Sequence, residues 1–210
     1  MKKLTKIKKP SYKQEAEKIN EFDLVFGMDE VGRGSFAGPL VAAAVAFKKE
    51  FNWFKDINDS KLLAKNEREK LSKLILDNSI SFIEIIDVSV INEFGVGEAN
   101  RLIFENLVNK INKQFKSKNI YFLVDGNTKK INYKNVDFIV KGDQKCISIA
   151  ASSIIAKVYR DSLMENLEKT FPGYNFFGNK GYGTKAHRDA IKQLGLSEIH
   201  RKSFKLEKFT

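Results

Sequence analysis

Five short apolar runs along the chain are bounded in the way that β-strands usually are. They occupy residues 22–30, 39–47, 79–90, 119–127 and 136–143, and glycine, asparagine or aspartate lies at or beside most of their ends. Apolar runs between turn-forming residues are typical of strands buried in a sheet. The pattern therefore predicts five strands, of which the first two are separated only by a glycine-rich segment.

Other segments have the spacing of helices. One helix is predicted from about Asn66, an N-cap residue type, with an apolar face formed by Leu71, Leu74 and Ile75. Further helices are predicted over residues 91–116, 145–169 and 185–194. Strands followed by mixed helices and strands predict an α/β domain of three layers, in which helices flank a mixed central sheet.

The composition is that of one globular domain. The chain has 210 residues, of which 42% are hydrophobic, and this allows a sizeable core without disulfides. Its one cysteine, Cys146, excludes an intramolecular disulfide, fits a reducing compartment and is expected to be a small buried residue. No apolar segment follows the basic start, and the longest apolar run, residues 40–47, is too short to span a bilayer. We therefore expect a soluble, cytoplasmic protein.

The charge is strongly positive and concentrated near both ends. The formal net charge is +11, residues 1–18 carry seven lysines and two glutamates, and the part from Lys180 onward has eight basic against three acidic residues. Such a surplus favours an anionic partner such as nucleic acid or a membrane, although a lysine-rich surface that only maintains solubility would look the same. Residues 1–21 are predicted to form a basic tail and residues 22–210 the folded domain.

Carboxylates end three of the predicted strands, at Asp29–Glu30, Asp125 and Asp143. Ligands of open α/β sheets bind at the carboxyl ends of the strands, so these acids would converge if the strands are neighbours. Four carboxylates in one cleft repel one another, and hard divalent cations remove that repulsion. Two such ions about 3.5–4 Å apart can hold the attacking water and the leaving oxygen of a phosphodiester. The alternative is that each acid only caps a turn.

The segment GMDEVGRG places adjacent carboxylates before two glycines. Neighbouring side chains on a strand point to opposite faces, so Asp29 and Glu30 can share one site only if the strand ends or bulges between them. Gly32 and Gly34 would allow such a break and a close approach of backbone to a ligand, and Arg33 suits a phosphate. A dinucleotide-binding loop is a weaker alternative, because such a loop should open a helix, whereas a proline and a strand-like run follow here.

Six motifs together cover most of the chain. They are MDEVGRGSFAGPLVAAAV, DSKLL, LVDGN, VKGDQKCISIAASSIIAKVYRD, NKGYGTKAHRDAI and HRKSF. In this order, from about Val25 to Phe204, they resemble the ribonuclease HII family. The related ribonuclease HIII typically lacks the arginine of Gly-Arg-Gly and usually has an extra N-terminal domain, so the resemblance favours type II.

The resemblance implies an RNase H-like fold with a helical C-terminal portion over the cleft, residues 22–210 being the type 2 catalytic domain. It implies an endonuclease that hydrolyses the RNA strand of RNA/DNA hybrids and nicks 5′ to single ribonucleotides in duplex DNA, leaving a 3′-hydroxyl and a 5′-phosphate. Water would be the nucleophile, and two Mn²⁺ or Mg²⁺ ions the cofactors. A monomer is the default expectation. The alternative from another class is a nucleic-acid binder that keeps the fold without catalysis.

The resemblance also assigns roles to individual residues. The family's four metal-binding, catalytic acids match Asp29, Glu30, Asp125 and Asp143. The Gly-Arg-Gly segment that senses the ribonucleotide matches Gly32, Arg33 and Gly34. Tyr182 matches the tyrosine expected to pack against the sugar after the ribonucleotide. This fits the chemistry, because the 2′-hydroxyl distinguishes RNA from DNA and an aromatic face excludes a second hydroxyl by shape.

Three further residues are candidates for substrate or metal contacts on the basis of the sequence. Lys61 could contact a phosphate, although an exposed lysine usually has no specific role. His187 could approach a phosphate, orient the loop that carries the tyrosine, or only help to cap its helix. Asp161 is expected to pair with Arg160 or Lys157 rather than to act as a fifth acid near the metals.

Three positions depart from the family pattern. Ser152 replaces an alanine and should pack in its place, Asn179 replaces a histidine and could change substrate affinity, and Ser35 replaces a common proline, which would loosen the glycine segment slightly.

Overall fold

The computed structural model describes residues 9–127, 131 and 133–209. Its five strands are β1 (Leu24–Val31), β2 (Leu40–Ala46), β3 (Ile80–Ile86), β4 (Ile120–Asp125) and β5 (Val136–Ile139). They form one sheet in the order β3-β2-β1-β4-β5. The pairs β3/β2 and β2/β1 are antiparallel, whereas β1/β4 and β4/β5 are parallel. The predicted mixed sheet is confirmed.

Six helices accompany the sheet within the described ranges. They are α1 (Lys13–Ile19), α2 (Lys65–Asn78), α3 (Val88–Gln114), α4 (Ile147–Thr170), α5 (Phe176–Asn179) and α6 (Lys185–Leu194). None of the described helices is long and apolar enough to cross a membrane.

Helices cover both faces of the sheet. On one face, α3 buries Ile103, Leu107 and Ile111 against apolar side chains of β1, β2 and β4. On the other face, α4 packs against β2, and α2 adds Leu71 and Ile75 to the same cluster. The result is the predicted three-layer arrangement, with β1 at the centre of the sheet.

The contact between α4 and β1 depends on a glycine. A Cβ atom at Gly27 would lie 2.3 Å from the backbone nitrogen of Ile149, so no other residue fits there without moving the helix. Ser152 on α4 donates a hydrogen bond from Oγ to the carbonyl oxygen of Gly27 at 2.7 Å. The serine at this position therefore joins the helix to the strand, which an alanine could not do.

Some predicted boundaries differ from the structure. The third strand ends at Ile86, because residues from Val88 onward form the first turn of α3, and that helix is kinked at Gly95, where φ is 82°. The helix predicted from Asn66 begins one residue earlier, so Asn66 is not its cap; Ala64 is the N-cap, and its N–H donates to Oε2 of Glu67 at 3.2 Å. The predicted end of α6 is confirmed, with Gly195 as C-cap.

Part of the predicted basic tail packs onto the domain; residues 1–8 lie outside the described residues. Tyr12 donates a hydrogen bond from its hydroxyl to the carbonyl oxygen of Phe47 at 3.0 Å. Glu15 on α1 is buried and accepts hydrogen bonds from the N–H and hydroxyl of Ser148, both at 2.7 Å. The described tail residues thus contact the start of α4.

The C-terminal portion forms a small layer of its own. It contains α5, α6 and 3₁₀ turns at Lys202–Phe204 and Leu206–Phe209. Its apolar cluster unites Tyr174, Phe176 and Ile191 with Met164 of α4 and Ala37 of the glycine segment, which we define as residues 32–38. This packing fixes the tyrosine loop, residues 180–184, beside the carboxyl end of β1.

Candidate active site

An open cleft of about 390 Å³ lies at the carboxyl ends of β1 and β4. Its lining residues are Asp29, Glu30, Val31, Ser60, Lys61, Asp125, Asp143, Ser153, Lys157 and Tyr182. The structure therefore brings the four predicted acids, the candidate lysine and the candidate tyrosine to one place.

The adjacent acids reach the cleft without the expected break in the strand. β1 pairs with β2 as far as Val31, with no bulge at Asp29 or Glu30. On its other side, β1 pairs with β4 only as far as Met28, opposite Val124. The expectation that the strand must end or bulge between the two acids was wrong, because β1 extends beyond its parallel neighbour and leaves that edge open.

Asp143 enters the cleft from a turn rather than from a strand end. It lies in the 3₁₀ turn Gly142–Gln144, after Lys141, which has a φ of 57°. The N–H of Gly142 donates to Oδ1 of Asp125 at 2.6 Å, so the turn is tied to the end of β4. A Cβ at Gly142 would lie 2.6 Å from Cδ1 of Ile149, which explains the glycine beside this acid.

Burial and mutual repulsion make the two adjacent acids, Asp29 and Glu30, hard to ionise. The pKa of Asp29 is raised well above its usual value, first by burial and then by the charges of Glu30 and Asp125. The pKa of Glu30 is raised to about 7 by burial and by Asp125, with partial relief from Arg33 and Lys61.

Asp143 shows the same effect more weakly. Burial raises its pKa, and the charges of Asp59 and Asp125 raise it further. The cleft therefore holds more negative charge than it can stabilise by itself.

The donor set suits a hard divalent cation, although it is not a closed chelate. Within residues 9–127, 131 and 133–209, no group of three His, Cys, Asp or Glu side chains stands in an arrangement that could hold a metal ion. The facing groups are nevertheless carboxylates whose pKa values are raised by burial and by mutual repulsion, and a bound cation would offset both effects. The residues fit Mg²⁺ or Mn²⁺ bound with side-chain adjustment and with further oxygen ligands from water or phosphate.

Lys61 is placed by a loop that α2 and α4 hold in position. Its N–H donates to Oδ1 of Asp59 at 3.0 Å. Arg68 donates to the carbonyl oxygen of Ser60 at 2.7 Å, and the hydroxyls of Ser60 and Ser153 lie 3.0 Å apart. The loop is thus fixed with the Lys61 side chain at the cleft, as a phosphate contact requires.

Two buried arginines hold the glycine segment. Arg201 donates to the carbonyl oxygens of Gly32 at 2.6 Å and Gly38 at 2.7 Å. Arg160 donates to the carbonyl oxygens of Ala37 at 3.1 Å and Lys180 at 2.8 Å, which joins the glycine segment to the tyrosine loop. Burial lowers the pKa of Arg201 to about 9, so the domain bears an electrostatic cost to keep this cation.

The two candidate glycines differ in kind. Gly32 has a φ of 92°, and a Cβ there would lie 2.2 Å from Nε of Arg160, so this glycine is required by the fold. Gly34 has a negative φ, and a Cβ there would meet no atom within 4 Å. The glycine at position 34 therefore leaves free space on the surface of the domain.

Tyr182 stands at the cleft with its ring near two cations. The guanidinium carbon of Arg160 lies 5.6 Å from the ring centroid, and Nζ of Lys157 lies 6.0 Å from it. Asn179 supports the loop: its Nδ2 donates to Tyr174 and its Oδ1 accepts from Gly181, both at 2.7 Å. The asparagine that replaces the family's histidine is thus buried in the loop's own framework.

His187 does not face the cleft. Its side chain is fully buried, and its N–H donates to Oγ1 of Thr184 at 3.3 Å, which caps α6. The imidazole is not exposed, so it cannot contact a phosphate directly. The other two roles considered from the sequence, capping of the helix and orientation of the tyrosine loop, agree with the structure.

Some residues at the cleft were not singled out by the sequence. Ser60, Ser153 and Lys157 line it, and Arg201 braces the glycine segment from more than 160 positions away in sequence. Only Lys157 carried a local signal, as the expected partner of Asp161, and Nζ indeed lies 2.7 Å from Oδ1 of that residue. Ser35, expected to loosen the segment, is buried, and its hydroxyl has no hydrogen-bond partner within the described residues.

Comparisons with known proteins identify the family to which the chain is similar. A family model described as "Ribonuclease HII" matches residues 26–207. A ribonuclease HII from Fusobacterium nucleatum is 44% identical over 186 residues, which cover 88% of this chain and 86% of the relative. Another ribonuclease HII, from Wolbachia sp. subsp. Brugia malayi, is 42% identical over 181 residues, which cover 86% of this chain and 87% of the relative. A solved structure of the PCNA:RNase HII complex from Archaeoglobus fulgidus aligns with a TM-score of 0.72 at 26% identity, covering 86% of this chain and 93% of that one.

Proposed function

The chain belongs to the ribonuclease HII family and is therefore an RNase H-type endonuclease that acts on RNA/DNA hybrids, and we propose that it also nicks duplex DNA on the 5′ side of single ribonucleotides. The observation that carries this proposal is the composition of the cleft: the four acids and Tyr182 line it, and Gly34, where a Cβ would meet no atom within 4 Å, follows the end of β1. Recognition and hydrolysis can therefore act on one phosphodiester.

The acids supply the metal ligands. Asp29 and Asp125 would be the central ligands of two Mg²⁺ or Mn²⁺ ions, with Glu30 and Asp143 completing the two sites. When bound, the cations supply an activated water and stabilise the leaving 3′-oxygen. The support is the raised pKa of Asp29, Glu30 and Asp143, since a carboxylate cluster that resists ionisation is one that a divalent cation stabilises.

Other residues of the chain recognise the substrate. The backbone around Gly34 can reach the 2′-hydroxyl because no side chain covers it. The Tyr182 ring would pack against the sugar that follows and reject a second 2′-hydroxyl by shape. Lys61 and Arg33 would hold backbone phosphates at the mouth of the cleft.

The net charge of +11 supports a contact with nucleic acid beyond the reacting nucleotide. A monomer is proposed because the four acids, Lys61 and Tyr182 of a single chain suffice to line the cleft. We propose the cytoplasm as the location, because a chain with one cysteine forms no intramolecular disulfide and therefore fits a reducing compartment.

The test is a cleavage assay on duplex DNA that contains one ribonucleotide. Wild-type protein should leave a 3′-hydroxyl on the DNA side in Mg²⁺ or Mn²⁺ and none in EDTA, and Asp29→Asn should bind the duplex without cutting it. The exposed Glu93→Gln variant serves as the control. Binding without cleavage by the wild type in both metals would favour the non-catalytic alternative.

A second variant tests the role of Tyr182 on the same substrate. Tyr182→Ala should lose at least about tenfold in kcat/KM at a lone ribonucleotide while its Mn²⁺ affinity stays unchanged. Equal losses of cleavage and of metal affinity would contradict a role in recognition.

A further inference from the structure

Behind the tyrosine loop, two imidazoles lie in direct contact. Nε2 of His187 and Nε2 of His200 are 3.1 Å apart. Both side chains are buried, at 0% and 3% exposure, and the rings of Tyr174, Phe176 and Phe36 pack around them. The sequence contains no other histidine. Neither ring lines the cleft, so they are outside the site described above.

The neighbouring groups determine which nitrogens carry protons. Nδ1 of His200 lies 3.0 Å from the N–H of Ser197 and must accept that hydrogen bond, so its proton is on Nε2. Nδ1 of His187 lies 3.0 Å from the carbonyl oxygen of Tyr182 and must donate to it, so its Nε2 is bare. The two assignments agree at the shared contact, where Nε2–H of His200 donates to Nε2 of His187.

These bonds form a one-way chain from the C-terminal segment to the cleft. It runs from the N–H of Ser197 through His200 and His187 to the carbonyl of Tyr182. The C-terminal segment is itself paired with the glycine segment, since the N–H of Arg201 donates to Phe36 at 2.7 Å and Gly38 donates to Ile199 at 2.9 Å. The chain of hydrogen bonds therefore links the backbone of the tyrosine loop to the C-terminal segment, which is paired with the glycine segment.

We propose that His187 and His200 are positioning residues, and that their neutral pair fixes the backbone of Tyr182 so that its ring meets the sugar after the ribonucleotide. This inference rests on the proposed role of Tyr182. A protonated pair would place hydrogens on both facing nitrogens and would break the contact. The pKa values support a neutral pair: burial lowers that of His187, and burial together with His187 lowers that of His200 to about 4.

The structure suggests two matched variants of His200. In His200→Asn, the short side chain can still accept from the N–H of Ser197, but it presents no donor to His187. In His200→Gln, the amide nitrogen takes the place of Nε2 and can still donate to His187, while the contact with Ser197 is lost. The two variants thus cut the chain at different links while they remove the same ring.

Cleavage measures the consequence for recognition. We expect His200→Asn to lose roughly tenfold in kcat/KM at a lone ribonucleotide and much less on a uniform RNA/DNA hybrid. Its Mn²⁺ affinity should equal that of the wild type. His200→Gln should retain most of the wild-type kcat/KM at the lone ribonucleotide. Equal losses by both variants, or an unchanged ratio of the two substrates, would overturn the proposal. Loss of selectivity in Tyr182→Ala but not in His200→Asn would overturn this inference alone and leave the proposed function standing.

A second measurement does not depend on enzymatic activity. Nitrogen-15 NMR of the two histidines should show one Nδ1–H and one Nε2–H tautomer, unchanged between about pH 5 and 8. The carbonyl carbon shift of Tyr182 should move in His200→Asn and stay in place in His200→Gln. A histidine that titrates near its ordinary pKa, or two identical tautomers, would overturn the proposal even if the wild type failed to nick at lone ribonucleotides.

Discussion

Glu30→Gln should stabilise the protein when no divalent cation is present. The Glu30 carboxyl has its pKa raised from 4.5 to about 7 in the folded state, so the folded protein holds a proton there that the unfolded chain releases. Between these two pKa values, folding stability therefore falls as the pH rises, and the loss is complete above the higher one. Glutamine resembles the neutral acid and avoids this loss.

The size of the effect follows from the two pKa values. Each tenfold change in a protonation constant corresponds to about 1.4 kcal/mol, so the rise from 4.5 to about 7 sets an upper bound of roughly 3 kcal/mol. The Glu30 side chain is only partly buried, and solvent screening reduces this to about 2 kcal/mol. For a domain of this length that corresponds to a rise in melting temperature of about 4–8 °C.

Thermal unfolding in EDTA at about pH 8 and about pH 5 is the assay. The gain in Glu30→Gln should be largest at the higher pH, should shrink at the lower pH, and should be absent from the control Glu93→Gln at both. Added Mg²⁺ should stabilise the wild type more than Glu30→Gln, because the cation replaces the missing proton. A variant that is no more stable than wild type at the higher pH, or an equal gain from Mg²⁺ in both proteins, would refute the reasoning.

Three other predictions follow from the same structure. Gly34→Ala should keep the wild-type melting temperature and lose substrate affinity. Gly32→Ala should lower the melting temperature, because its φ of 92° and a Cβ contact of 2.2 Å both strain the fold. Equal melting temperatures for the two variants would contradict this prediction. Both histidines have lowered pKa values, so stability in urea should fall as the pH drops from about 6.5 toward the folded pKa of about 4 for His200, a loss that His200→Gln should reduce. Affinity for a ribonucleotide-containing duplex should fall steeply with salt, and Lys61→Ala should flatten that slope by about one counterion; an unchanged slope would remove this lysine from the phosphate contacts.

The sheet and its helices could be predicted because local pattern determines them. Each of the five strands is an apolar run between turn residues, and β2 is buried along its whole length. The predicted cap at Asn66 was wrong because Glu67 supplies the capping group to Ala64 instead, a choice between neighbours that spacing does not decide.

The acids were predictable and their surroundings were not. The strand ends predicted that Asp29 and Asp125 would converge if their strands were neighbours, and β1 and β4 are indeed adjacent in the sheet. The arginine that braces Gly32 lies 169 positions from it, and the two imidazoles behind Tyr182 are 13 positions apart. Both contacts also depend on burial, which no local sequence pattern records. The expected break after Asp29 failed for a similar reason, because the length of the neighbouring strand decided the geometry.

Mn²⁺ binding to the protein–duplex complex tests the central claim most directly. Electron paramagnetic resonance should count about two bound ions in wild type with a ribonucleotide-containing duplex, and fewer, more weakly held ions in Asp29→Asn. The same number of ions with the same affinity in both proteins would show that the four carboxylates do not act as the metal site.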